Sequence, residues 1–148
     1  METGMLHLHS LLRWVILLLL LLGLVQAFGK KESIRSTSLW LMIAAHTMLL
    51  IGIYQWVAGR YGIMNGLPES VPSLMKNSFY RFYWVEHPLL MVVAITLITL
   101  ARGKAKKLNY KNTGWLLLIA LIFILVAVPW PFRDVATIGS GRVWFPGM

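Results

Sequence analysis

The chain has 148 residues, of which 58% are hydrophobic and 13% charged. An average soluble domain carries about 25% charged residues, so composition excludes an ordinary water-soluble globule. The net charge of +9 does not argue for nucleic acid, because the Lys and Arg residues fall in short loops between apolar stretches, where they set membrane topology. The absence of cysteine excludes disulfides, thiolate metal sites, iron–sulfur clusters and covalent c-type haem attachment.

Four apolar stretches are each long enough to cross a bilayer core of about 30 Å. The first covers residues 6–28, with an unbroken aliphatic run over 15–22. Val25-Gln26-Ala27 offers a passable signal cleavage site, but Lys30 and Lys31 follow at once and oppose export, so the stretch reads as a retained helix. The second spans 39–58, with Ser36, Thr37 and Ser38 as candidate N-caps, His46 within it, and Tyr54, Gln55 and Trp56 toward its far end. Residues 59–81 form the longest connection, punctuated by Gly62, Gly66, Pro68 and Pro72, with helix expected again over 71–81; a lid and a plain tether are both open for it.

The third span, 80–101, is the one around which the chain is organised. It opens Phe82-Tyr83-Trp84-Val85-Glu86-His87-Pro88 and then runs without charge to Ala101. An ionisable group held in hydrocarbon costs several kcal/mol, which makes His87 a functional-site candidate. The fourth span, 113–130, ends at Pro129-Trp130-Pro131-Phe132-Arg133, where two prolines stop the helix and Trp130 suits the interface. The expected fold is therefore all-α: one domain over 1–148, an integral membrane four-helix antiparallel bundle.

The loops after the first and third spans hold Lys30, Lys31, Arg35, Arg102, Lys104, Lys106, Lys107 and Lys111. The other side holds Arg60, Lys76, Arg81, Arg133 and Arg142, mixed with Glu2, Glu69 and Asp134. The positive-inside rule then puts the basic loops in the cytoplasm and both termini outside. An internal repeat also emerges. His9-Ser10-Leu11-Leu12 matches His87-Pro88-Leu89-Leu90, each followed by a Gly-Lys (Gly29-Lys30, Gly103-Lys104), and Trp40 matches Trp115. Two hairpins related by an axis along the membrane normal have this signature.

Counting from the basic ends at 1.5 Å per residue puts His46 about 10 Å up, His87 about 21 Å, Arg13 about 23 Å and His9 about 29 Å. Arg13 follows His9 by four residues and shares its helix face. The sharpest chemical expectation is a b-type haem, whose iron takes neutral imidazoles projecting inward from facing helices. The candidate ligands are His9 with His87, with His46 as the alternative partner for His87, and Arg13 or Arg81 as a propionate partner. The depth counts leave the first pair about 8 Å apart in height and the second about 11 Å, so either needs tilt or a shifted helix; the repeat favours His9 with His87. Other readings stand beside this one. Membrane histidines can simply hydrogen-bond a neighbouring helix, and Glu86 can pair with Arg13 or Arg81. Met1, Met5, His7 and His9 cluster near one end, and Met42 and Met48 flank His46, as soft copper ligands would. His87 with Tyr54 could offer donors to a quinone. The lack of any Gly-x-Ser-x-Gly, His-Glu-x-x-His or paired carboxylates argues against a hydrolase.

Four patches carry a family resemblance: Leu6-His7-Leu8-His9-Ser10-Leu11-Leu12-Arg13-Trp14; His46 with Leu50-Ile51-Gly52; Glu86-His87-Pro88-Leu89-Leu90-Met91 running on to Arg102-Gly103-Lys104; and Pro129-Trp130-Pro131-Phe132-Arg133. The chain resembles the small four-helix bacterial membrane proteins labelled "cytochrome B", distantly similar to SirB-type and copper-resistance D-type proteins. The resemblance implies a histidine-bearing bundle in a bacterial inner membrane, with haem. Unlike the large respiratory cytochromes b, the chain lacks two spaced histidines on each of two helices, which argues against a two-haem core. The expectation is a haem-b protein passing single electrons, with quinone as a candidate exchange partner and other redox subunits or a second copy as candidate neighbours. That describes an electron carrier or accessory protein more than a stand-alone enzyme. The alternative is a non-redox subunit or copper-handling protein.

Overall fold

A computed structural model describes residues 2–131. Met1, the cations Arg133 and Arg142, Asp134 and the end of the Pro-Trp-Pro-Phe-Arg patch lie outside the described residues. The helices are α1 (Glu2–Phe28), α2 (Ile34–Ala58), the single turn α3 (Ser78–Arg81), α4 (His87–Lys106) and α5 (Tyr110–Ala127). A π-turn, Phe82–Glu86, joins α3 to α4, so that Ser78–Lys106 runs as one long span. All four spans are long and apolar enough to cross a membrane, and the protein is a multi-pass membrane bundle.

α1 packs on α2 and α5, and α4 packs on the same two helices, which leaves α1 and α4 on one diagonal and α2 and α5 on the other. The centre is built from Leu20, Leu41, Ile98 and Leu117, all fully buried. Close approach comes from small residues. Ala45, Ala94, Ala101, Ala105, Ala120 and Ala127 show no more than a trace of surface, and the Gly114 backbone lies against the Phe28 ring. Lipid gives no hydrophobic drive for helix association, so membrane bundles depend on such packing. The outward faces are apolar: Leu11, Leu18, Leu50 and Leu89 are among the most exposed side chains. Thr47, Thr96 and Thr99 return their hydroxyls to carbonyls four residues back, at 2.8–2.9 Å, which satisfies them without a partner helix.

The element boundaries differ from expectation in ways that have local causes. α2 begins at Ile34, earlier than the Ser36–Thr37–Ser38 caps suggested, because Lys30 takes a left-handed φ of 53° and closes the turn at once. Ser38 is instead buried one turn inside the helix, donating to Arg35 O. α4 continues past Arg102 to Lys106, and Leu108, also at φ 53°, makes the matching turn. Thus the 78-residue separation of His9 and His87 also relates Phe28 to Lys106 and Lys30 to Leu108. That spacing holds where α1 and α4 end and turn, but α2 and α5 do not keep it at their starts or ends, and the Gly-Lys match is one helical turn out. At the other end of the chain α5 stops at Ala127. Val128 is pushed to extended backbone, ψ 126°, by the Pro129 that follows.

The long connection is folded rather than loose. It carries 3-10 turns at Ile63–Asn65 and Leu74–Lys76, and only the four residues of α3 are α-helical where 71–81 was expected to be. Asn77 caps α3 by accepting from Tyr80 N at 3.1 Å. Rings hold the connection down: Tyr61 and Tyr83 each meet Phe79 edge-on or tilted at about 5 Å, and the Trp84 indole donates to Tyr61 O at 2.7 Å. Opposite, at the basic end, Arg102 reaches from α4 to the Arg35 carbonyl of α2 at 2.8 Å.

Candidate functional site: a histidine pair across the bundle

His9 on α1 and His87 on α4 meet across the diagonal of the bundle, with ring centroids 6.3 Å apart and planes inclined by 49°. The depth counts left them on different levels. The gap closes because α4 runs on to Lys106, so His87 stands nineteen residues from its basic end, as His9 does from Phe28. Three local features shape the pair. α1 begins at Glu2, so His9 lies two turns inside an intact helix. The π-turn inserts an extra residue just before His87, whose N–H donates to Phe82 O five residues back, and this resets the face on which the side chain emerges. Phe82 itself is buried and packs at a tilt against the His87 ring, 5.8 Å between centres.

The third feature is the end of α5. His87 Nδ1 lies 2.8 Å from the Ala127 carbonyl oxygen. A carbonyl can only accept, so Nδ1 carries a proton, and in the neutral ring Nε2 is the lone-pair nitrogen. In a continuing helix the Ala127 carbonyl would accept from residue 131, but residue 131 is proline and has no N–H. The same arithmetic recurs twice at this end of the bundle. Pro129 leaves the Leu125 carbonyl to the Trp130 indole at 2.9 Å, and Pro88 leaves the Trp84 carbonyl to the Trp56 indole at 3.0 Å. Each proline in a span removes a ladder donor, and a ring N–H replaces it.

On the α2 side the backbone comes close. A Cβ placed at Gly52 would meet His9 Nε2 at 3.9 Å, its nearest neighbour. Glycine therefore keeps a side chain's width of space beside the imidazole nitrogen. One turn deeper, the residues following this layer line a small internal cavity of about 20 Å³: Arg13, Met48 and Met91, with Ile16, Ile95 and Ile124. Arg13 is half-buried. It donates to Ser10 Oγ at 3.2 Å and lies 5.2 Å from the Trp14 ring centre, and Trp14 in turn contacts Trp130 edge-on. Arg13 thus lines the cavity with its stem and holds its head group on its own helix, beside Ser10 and Trp14.

The remaining candidates lie elsewhere. His46 is exposed on the outer face of α2, and its Nδ1 bonds the Met42 carbonyl of its own helix at 2.8 Å; it is not brought to His87. Glu86 pairs with Arg81, Nε to Oε1 at 2.8 Å, at a partly exposed position, and Arg81 also holds the Met75 carbonyl. Tyr54 faces outward, and His7 is exposed. Among the described residues there is no cluster of three or more His, Asp or Glu side chains fit to hold a bare metal ion. Sequence reasoning did not single out Gly52, Met91, or the Ala127 carbonyl with Pro131. The last was recoverable, since counting four residues back from each proline identifies the released carbonyls.

Fold and site together define a polytopic membrane four-helix protein with an imidazole pair on its diagonal. No protein-family model, curated protein or solved structure matches the chain.

Proposed function

We propose that the protein binds one b-type haem between His9 and His87 and passes single electrons within a bacterial inner membrane. The observation that carries this reading is the pairing of the two rings, with His87 Nδ1 committed to a carbonyl. The two ring centres stand 6.3 Å apart on facing helices, where both imidazoles would hold one iron. Ring contacts of any kind share that separation, so the donor arrangement is what singles this pair out. A ligating histidine almost always gives its other N–H to a carbonyl or carboxylate, as His87 does.

The residues fit the group in kind. His9 and His87 would hold the iron, Phe82 packs on one ligand, Gly52 leaves room beside the other, and Arg13 supplies a cation for a propionate. When bound, haem would supply reversible one-electron chemistry. The chain's part is to orient both imidazoles, keep His87 in one tautomer and exclude water by surrounding the pair with apolar side chains. Quinone is the natural membrane-soluble class of exchange partner, and the basic loops belong on the cytoplasmic side, which puts both termini in the periplasm. A second copy or other redox subunits would extend the electron path. The protein then acts as a carrier or accessory subunit.

A copper(I) reading draws on Met48 and Met91, soft ligands one turn below the histidines. Arg13 lines the same cavity with its stem, and its nearby charge disfavours a second cation, which is why haem, with its anionic propionates, is preferred. A visible spectrum of the detergent-purified protein, before and after dithionite, decides. A Soret band with a sharpened alpha band on reduction, lost in both His9→Ala and His87→Ala, supports haem. A colourless protein from haem-replete cells overturns it, and metal analysis of the same sample then tests copper against a non-redox membrane subunit.

A further inference from the structure

We propose that the basic pole holds a binding site for an acidic phospholipid, its phosphate seated where α2 meets α4 among Arg35, Arg102 and Lys106. The inference rests on the membrane bundle and not on the haem reading. Residues 29–35 carry three Lys or Arg and residues 102–111 carry five, against the single acid Glu32. Among the described residues none of these cations is ion-paired; the pair that forms, Arg81 with Glu86, stands at the opposite pole. α2 and α5 both start at the basic pole with no acid in the first turn, so their dipoles add to the positive potential. Topology asks only for charge on one side, and it leaves this excess without a counter-ion.

The seam between the hairpins gathers part of that excess. Arg102 Nη1 donates from α4 to Arg35 O at 2.8 Å and lies 3.4 Å from Ser38 Oγ, which sets two cationic residues side by side. Arg102 Nε is buried and has no acceptor, so the protein leaves this guanidinium incompletely bonded. Lys106 follows Arg102 by four residues on the same face of α4, and both Lys106 and Arg35 are exposed. A phosphate diester accepts from a guanidinium fork and from an ammonium alike. Basic sites between membrane helices take lipid headgroups in this way. Two aromatic rings fix the depth. Trp40 and Trp115, 60% and 52% exposed, stand six and five residues inside α2 and α5, about 9 and 8 Å from the helix starts. Tryptophans mark the headgroup level, so a lipid with its acyl chains along α2 and α4 presents its phosphate at the seam.

The test titrates phosphatidylglycerol into the full-length protein in a neutral detergent and reads the unfolding temperature, which rises with the logarithm of a bound ligand's concentration. Phosphatidylcholine and inorganic phosphate are titrated in parallel. The site variant combines Arg35→Gln with Lys106→Gln and keeps the Arg35 carbonyl that Arg102 holds. The control combines Arg60→Gln with Lys76→Gln, an equal loss of charge at the opposite pole. One cation near an anionic lipid surface is worth about fivefold in binding. The site variant should therefore need about 25-fold more phosphatidylglycerol for the same rise, and the control no more than about twofold. Lys106→Gln alone, with about a fivefold loss expected, serves where the double variant does not fold. An equal rise with phosphatidylcholine overturns the proposal, because the headgroup charge is then irrelevant. Equal losses in the site and control variants overturn it as well, since net charge and not the seam would be at work. The same rise with inorganic phosphate alone replaces the lipid with a free anion and also overturns it.

Discussion

Gly52→Ala separates a haem site from an ordinary helix crossing, because it acts with opposite signs on the empty and the loaded protein. In the empty bundle the new methyl would meet only His9 Nε2, at 3.9 Å, an ordinary van der Waals contact. The substitution therefore adds no strain, and replacing glycine inside a helix stabilises by about 0.5–1 kcal/mol. With a porphyrin ligated by His9, the same methyl occupies the space beside the liganding nitrogen into which the flat ring must extend. Overpacking a close contact by one methyl costs about 1–3 kcal/mol, which weakens binding by roughly 5–150-fold at 1.4 kcal/mol per decade. The assays are thermal unfolding of the haem-free protein by circular dichroism in detergent, and titration of haemin into it followed at the Soret band. The expected outcome is a higher unfolding temperature together with a dissociation constant raised at least fivefold. Haem affinity within twofold of wild type would refute the reasoning, since the space beside His9 would then have nothing to do with the ligand.

His46→Ala removes a ring that bonds only its own helix among the described contacts, so it should leave any haem spectrum intact and cost under about 1 kcal/mol in a detergent unfolding titration. Gly114→Ala places a Cβ 3.0 Å from two atoms of the Phe28 ring and should lower the unfolding midpoint, by about 1–3 kcal/mol if the ring cannot swing clear. Arg81→Gln breaks a partly exposed ion pair with Glu86 and should change stability by no more than about 1 kcal/mol, less at high salt. Haemin itself should protect the wild type against thermal unfolding by an amount that grows with the logarithm of its concentration, while His87→Ala shows no such dependence.

Four spans and an antiparallel bundle were legible because the lipid requirement writes itself into long uncharged runs. His9 and His87 stood out for the reverse reason, as ionisable groups where charge is expensive. What the sequence obscured was height. The count started from Ala101, whereas α4 runs on to Lys106, so His87 stands nineteen residues from its basic end, as His9 does from Phe28. His46 misled for another reason. Its heptad neighbours are as apolar as those of His87, so periodicity does not tell an inward face from a lipid-facing one when both are greasy. The start of α2 was misjudged because capping residues were sought in a serine-threonine run, whereas a left-handed lysine in the preceding turn decided it.

The two poles of the molecule are fastened by different hardware. At the basic pole, short turns join α1 to α2 and α4 to α5, and the Arg102 guanidinium clamps one hairpin to the backbone of the other. At the histidine pole the hairpins touch through the Trp56 indole on Trp84 and the edge of Trp14 on Trp130. The hairpins can therefore part at the histidine pole like the jaws of a clothes-peg, swinging aside a few rings while the backbone-to-backbone hydrogen bonds within each helix stay made.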